Sequence, residues 1–240
     1  MAAVAKPPRQ CLFVTPGCLE YRRALALQRR IVDARWHGQL DRDVLLLLEH
    51  PAVFTLGRRG GRDNLGVSRD FLDQRGIAVV HVERGGDITY HGPGQIVGYP
   101  IITLRGSPLS VTDYVTALEE IMIRTAADFG VAAARDPRNR GVWVENCKLG
   151  SIGISIRRGI SFHGFAFNVN TDLAPFGWIN PCGLRGVGAT SLERELGAPV
   201  CLEAAFDAVS VHLRQVLRME LAPTGIRELE ERLQDRHDHL

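Results

Sequence analysis

The sequence predicts an α/β domain (α+β in connectivity), with a mixed sheet and helices packed mainly against one of its faces. Short apolar segments bounded by turn residues recur along the chain and read as strands. A few longer segments between them carry helical periodicity. The chain has 240 residues, 45% of them hydrophobic and 23% charged, which suits one folded unit of ordinary size. No repeat, low-complexity tract or linker divides it. A single domain over residues 1–240 is expected, with residues 1–10 flexible and residues 222–240 forming a peripheral, highly charged helix.

Leu12–Val14 reads as a short strand. After Thr15-Pro16-Gly17 a helix runs to about Trp36, with Tyr21, Leu25, Ile31 and Val32 inward and arginines outward. Val44–Glu49 and Val53–Leu56 are strands separated by His50-Pro51. Arg58–Gly66 is rich in Gly and Arg and reads as a mobile loop. Ile77–Val82 is a strand that leads into a glycine-dense segment, and Gln95–Leu104 another. The clearest helix is Val111–Phe129: Ser110 suits the N-cap, Asp113 stands three residues on, and Gly130 occupies a C′ position. Gly141–Glu145, Ile152–Ile156 and Ile160–Asn168 are strands, the last two a hairpin around Arg157-Arg158-Gly159. A Pro/Gly-rich loop spans Pro175–Gly188, and helices at Leu202–Met219 and Ile226–Arg236 follow.

Composition excludes several function classes. The longest apolar run, Val44–Leu48, stops at Asp43 and Glu49 and is far too short to span a bilayer. MAAVAKPPRQ has no apolar core for a secretion signal. Five cysteines at irregular spacing suggest neither a disulfide framework nor a zinc site. A cytoplasmic, reducing location is expected, with no metal and no cofactor. The net charge of +2, without a basic stripe interleaved with aromatics, speaks against nucleic acid.

Within that balance lies an anomaly. Of 29 basic residues, only Lys6 and Lys148 are lysine. Wherever a generic positive charge suffices, this sequence uses arginine, so an interior lysine is a candidate for work that needs a proton released. If Lys148 lies in a cleft, desolvation lowers its pKa from the ordinary ~10.4 towards a range useful for proton transfer. An ordinary strand-end lysine with its head in water is the plainer alternative.

Two other segments can carry chemistry. Arg84-Gly85-Gly86-Asp87-Ile88-Thr89-Tyr90-His91 allows close backbone approach to a ligand, yet it matches neither a P-loop nor a dinucleotide fingerprint. In Asn180-Pro181-Cys182-Gly183, a cysteine between Pro and Gly sits on a loop that can present its sulfur. A thiolate is the attacking form, and a neighbouring cation favours it. Cys147, at the end of an expected core strand, competes for the nucleophile's role, although alternation would send residues 147 and 148 to opposite faces. Cys11, Cys18 and Cys201 read as structural. His91 and His163 remain open as bases, because Cys–His pairs are common.

Four motifs in order, RGGDITYHGPGQ at 84–95, KLGSIG at 148–153, FHGFAFNVNTDL at 162–173 and INPCG at 179–183, resemble the lipoyl(octanoyl) transferase family over about His50–Leu196. That resemblance implies a fold like the catalytic domains of biotin and lipoate ligases. It also implies octanoyl transfer from octanoyl-acyl carrier protein through a Cys182 thioester, with Lys148 tuning the thiol and moving protons. The acceptors are lysines on lipoyl domains of 2-oxoacid dehydrogenase subunits and on the glycine cleavage H protein. By the same resemblance Arg84, Gly85, Gly86, Asp87, Ile88, Thr89, Tyr90, His91, Ser151, Ile152, Gly153, Gly164, Phe165 and Ala166 line the acyl pocket. Leu149-Gly150 and Ile88 depart slightly from the family's usual Ile-Ala and Val. A thioester is already activated, so no ATP is required, and burying an eight-carbon chain contributes on the order of 5 kcal/mol at ~0.8 per methylene. An ATP-dependent lipoate ligase of the same fold is the nearest rival, and a non-catalytic module that binds lipoyl domains or carrier protein a more distant one.

Overall fold

The six residues of Asp43–Leu48 show how the domain is layered. All are buried, and their side chains divide between two cores. Leu45 and Leu47 join Tyr114, Leu118, Met122, Val209 and Leu213. Val44, Leu46 and Leu48 join Ala24, Leu27 and Ile31. A strand covered on both faces reads as a continuous apolar run rather than an alternating one, which is why DVLLLL is uninterrupted.

A computed structural model of the chain describes residues 9–180 and 187–234. In chain order the elements are β1 (Arg9–Val14), α1 (Tyr21–Trp36), β2 (Asp43–Leu48), β3 (Val53–Leu56), α2 (Arg69–Asp73), β4 (Ala78–His81), β5 (Ile88–His91), β6 (Gln95–Ile101) and α3 (Val111–Asp128). They continue as β7 (Ala134–Asp136), β8 (Asn139–Val144), β9 (Cys147–Arg157), β10 (Ile160–Asn168), β11 (Gly188–Ala189), α4 (Leu192–Leu196), α5 (Leu202–Leu217), β12 (Met219–Pro223) and α6 (Ile226–Arg232). Strands β12-β1-β2-β6-β10-β9-β8-β7 form the large mixed sheet, with β11 added alongside β9, and β4-β3-β5 form a small second sheet.

The expected mixed sheet with helices is present. Helices α3 and α5 share one face, as anticipated, but the other face is covered too. Apolar residues of α1 and Leu229 of α6 pack there, because β2 carries leucine on both sides and leaving either in water is unfavourable. The α3 cap forms as read: Ser110 Oγ accepts from Asp113 N at 3.1 Å, and Asp113 closes the reciprocal half of the box. Gly130 follows at φ +79°.

The differences lie where pairing is long-range. The helix expected over Leu202–Met219 stops at Leu217, β12 follows as a parallel partner of β1, and the last helix begins only at Ile226. Strands β7 and β11 and the short helices α2 and α4 carry too little local pattern to stand out. Strand β9 begins at Cys147, five residues earlier than expected, so Lys148 lies inside a strand.

Candidate active site

Where the two sheets meet, a cavity of about 360 Å³ opens among β5, β6, β9, β10 and the segments around Arg84 and Phe176. Arg84 is buried against one wall. Its guanidinium donates to the Thr55 carbonyl at 2.7 Å and to Thr55 Oγ1 at 2.8 Å. The second glycine of the 148–153 motif has its reason here: a Cβ on Gly153 would stand 2.8 Å from Arg84 Cδ. Asp87 accepts from Asn64 Nδ2 at 2.6 Å and from Ile88 N at 2.7 Å, bracing the loop before α2.

The back wall is a set of buried aromatic and polar side chains. His50 engages the Leu19 carbonyl at 2.6 Å and the Tyr99 hydroxyl at 2.7 Å. Tyr21 stacks on His91 with ring centroids 5.7 Å apart. Arg84 can only donate to Thr55 Oγ1, so the Thr55 hydroxyl is free to donate to His91 Nε2, 3.4 Å away. His91 Nδ1 in turn meets Gln95 Oε1 at 2.8 Å. Gln95 Nε2 donates to Asn168 Oδ1 at 2.9 Å, and Asn168 Nδ2 to the Thr190 carbonyl at 2.9 Å. The chain ends on the Lys148 backbone, whose carbonyl accepts from Thr190 N at 3.0 Å.

Burial keeps this wall neutral. It pushes the His50 imidazole down to about 4 and, with His50 and Arg84 nearby, holds His91 well below the ordinary value. Tyr21 is raised to about 12, again by burial first. His163 is also lowered by burial. It sits in β10 at φ +56°, a conformation that a non-glycine residue adopts only when its surroundings enforce it. Gln28 of α1 supplies part of that enforcement, its Oε1 accepting from His163 N at 2.7 Å.

Lys148 lies at the β9 end of the cavity. It pairs with Trp143 of β8 on one side and Ala189 of β11 on the other. Its Nζ is 4.9 Å from the centroid of the Trp143 ring. The register between β8 and β9 shifts at this point, Trp143 facing Lys148 while Val142 faces Gly150. That bulge leaves Leu149 extra, fully buried in the α3–α5 core. Cys147 and Lys148 both line the cavity, where strict alternation was expected to send them to opposite faces. Cys182 lies outside the described residues. Of the residues described near it in sequence, Ile179 and Val187 line the cavity.

Residues 20–214 match the family described as the lipoyl protein ligase A/B catalytic domain. The chain belongs to that family. An octanoyltransferase of Desulfotalea psychrophila is 61% identical over 187 residues, 77% of this chain and 84% of the relative. An octanoyltransferase of Syntrophobacter fumaroxidans is 45% identical over 95% of this chain and 99% of its own. Among solved structures, lipoate-protein ligase A bound with ATP superposes with a TM-score of 0.74 at 14% identity, over 97% of this chain and 95% of the other. Biotin protein ligase from Aquifex aeolicus in complex with biotin and ATP gives 0.54 at 10% identity, over 87% and 70%. The expected biotin/lipoate-ligase fold and family are therefore both present.

In this lipoyl protein ligase A/B catalytic domain, the motif residues Arg84, Gly86, Asp87, Ile88, Thr89, His91, Lys148, Ser151, Ile152, Gly153, Gly164, Phe165 and Ala166 come together around the one cavity. Two of the residues expected in the pocket, Gly85 and Tyr90, stand elsewhere. Gly85 ties its N–H to the Ile154 carbonyl at 2.8 Å. Tyr90 turns into the core of the small sheet, 5.3 Å from the Phe54 ring, since neighbours on a strand face opposite ways. The open question about histidines narrows: both ring nitrogens of His91 are engaged within the wall. Tyr21, Tyr99, Trp143 and Asn168 line the cavity without having been singled out from sequence. No local signal marked them; Trp143, for example, meets Lys148 only through the pairing of β8 with β9.

Proposed function

We infer that the protein transfers an octanoyl group from octanoyl-acyl carrier protein to lysines of lipoyl domains, through a thioester on Cys182. The acceptors are lipoyl domains of 2-oxoacid dehydrogenase subunits and the glycine cleavage H protein. The observation that carries this assignment is the placement of Lys148 on a largely apolar cavity that it shares with residues from all four motifs that mark the family. The strong identity to octanoyltransferases supports the acyl group. Support for Cys182 as the nucleophile comes from its neighbours, since Ile179 and Val187 border the cavity and β11 pairs directly with Lys148.

The chemistry balances without an external energy source. The Cys182 thiolate attacks the donor thioester, a new C–S bond forms, and the carrier's thiol departs with a proton from the Lys148 ammonium. The acceptor amine then attacks the enzyme thioester. A C–N bond forms, the Cys182 thiolate leaves, and the amine's proton returns to Lys148. The apolar walls hold the chain and keep water from the intermediate, while the neutral histidines and tyrosines add no competing charge. A cytoplasmic location belongs to the same assignment. Cys11, Cys18, Cys147 and Cys201 are all free thiols, and no helix among the described residues is long and apolar enough to cross a membrane.

The test is intact-protein mass spectrometry after incubation with octanoyl-carrier protein and no ATP. An octanoyl adduct is expected on the wild type and absent from Cys182→Ala, with onward transfer to a lipoyl domain. Loss of the adduct in Cys147→Ala instead would move the nucleophile to β9. An absolute need for ATP would favour the rival reading, a lipoate ligase with the fold of lipoate-protein ligase A bound with ATP.

A further inference from the structure

A lysine side chain has a flexible four-carbon stem, and ordering it costs rotamer entropy. A proton partner must nevertheless stand still, because a misplacement of about 1 Å is enough for a ~10²-fold loss of rate. Something near Lys148 must therefore hold it, and the surface of β8 shows what does. The stem crosses Gly141, where an added Cβ would meet Lys148 Cε at 2.6 Å and Nζ at 3.3 Å. The ammonium stands 4.9 Å from the Trp143 ring centroid, within reach of the attraction between a cation and an aromatic face.

This stretch of β8 is itself held from both ends. The Trp143 ring is buried, and its Nε1–H donates to the Asn139 carbonyl at 3.2 Å. Arg138 lies over the same ring at 5.8 Å and is paired with Asp136. From α3 the buried carboxylate of Glu119 accepts the Gly141 N–H at 3.0 Å. The second oxygen of Glu119 meets Arg140 at 3.2 Å and Arg135 at 3.3 Å. A buried carboxylate is costly unless fully engaged, and Glu119 uses its bonds to fix the one glycine that Lys148 crosses.

We propose that Gly141 and Trp143 are positioning residues for Lys148, forming a slot of bare backbone and aromatic face that Glu119 holds in place from α3. The proposal rests on Lys148 being the proton partner assigned above. It adds a specificity of its own: the slot suits the slim lysine stem, and a side chain at 141 would occupy the space.

The experiment is steady-state transfer from octanoyl-carrier protein to a lipoyl domain, using the full chain. Trp143→Leu is expected to lower kcat about tenfold or more, with KM for both protein substrates changed less than about twofold. Trp143→Phe keeps an aromatic face and is expected to recover most of that loss. If Trp143→Leu does not fold, as judged by thermal denaturation, a ring-fluorinated tryptophan placed at 143 alone preserves shape and weakens the face. It is then expected to cost roughly two- to fivefold in kcat. In the combined variant, Trp143→Leu should add almost nothing to Lys148→Ala, since both act through one group. An unimpaired kcat in Trp143→Leu, a loss confined to KM, no effect of fluorination, or losses that multiply in the combined variant would overturn the slot. Wild-type turnover in Lys148→Ala would instead strike the assignment of Lys148 itself.

Discussion

Lys148 and arginine differ at the one property the proposed chemistry needs. An arginine at this position keeps a positive charge but holds its proton at any pH the protein meets. Lys148→Arg is therefore expected to lose about 10²-fold or more in kcat, with KM for octanoyl-carrier protein near the wild-type value. Near-normal turnover would reduce the lysine to an electrostatic neighbour of the nucleophile. Its prominence was legible in the sequence because arginine had replaced lysine almost everywhere else. Its slot was not, since Gly141 and Trp143 read simply as part of a strand, and only the pairing of β8 with β9 sets them against Lys148. Tyr90 shows the reverse error. It sits in the middle of a site motif, yet strand alternation turns it into the small sheet's core.

Among the elements, α3 matters beyond its own stability. It carries Leu118 and Met122 into the main core and Glu119 to the backbone of Gly141. Its first turn depends on Ser110 and the reciprocal bond from Asp113. Ser110→Ala should cost about 1 kcal/mol, seen as a lower urea midpoint with an unchanged slope. Because the loss falls on the helix end, turnover below the transition should stay near the wild-type level. A change in slope would mean that the cap also governs how compact the denatured chain is. The bulge in β9 is the other element with consequences. It puts Leu149 between the pairs Trp143–Lys148 and Val142–Gly150 and sends that residue into the α3–α5 core.

For the whole molecule, three buried histidines set a limit on the acid side. His50 is lowered to about 4 from the ordinary 6.5, and His91 and His163 are lowered as well, each chiefly by burial. In the unfolded chain these imidazoles take up protons below about pH 6.5, whereas in the folded chain they resist. Unfolding therefore gains protons as pH falls, and stability declines from pH 6.5 downward. His50 alone accounts for on the order of 3 kcal/mol across the window from 6.5 to about 4. Urea midpoints measured from pH 7.5 to 4.5 should be level at the top and fall steadily below 6.5. A flat profile over that range would show that the imidazoles are not held neutral by the fold.

The amino-acid sequence by itself determined the fold class, most of the strands, the capped helix α3 and the four motifs that mark the family. These are properties of local periodicity, capping and short-range pattern, which the chain carries wherever it folds. Tertiary structure decided the rest. It placed β12 beside β1 across the length of the chain, covered the second face of the sheet with α1, and brought Cys147 and Lys148 to one cavity. It also set Lys148 against Gly141 and Trp143. Such facts depend on which distant strands pair, and a strand's own apolar pattern fixes the face it buries but not the remote partner it takes. The lysine that stood out first as a compositional anomaly thus has its place fixed by a neighbouring strand.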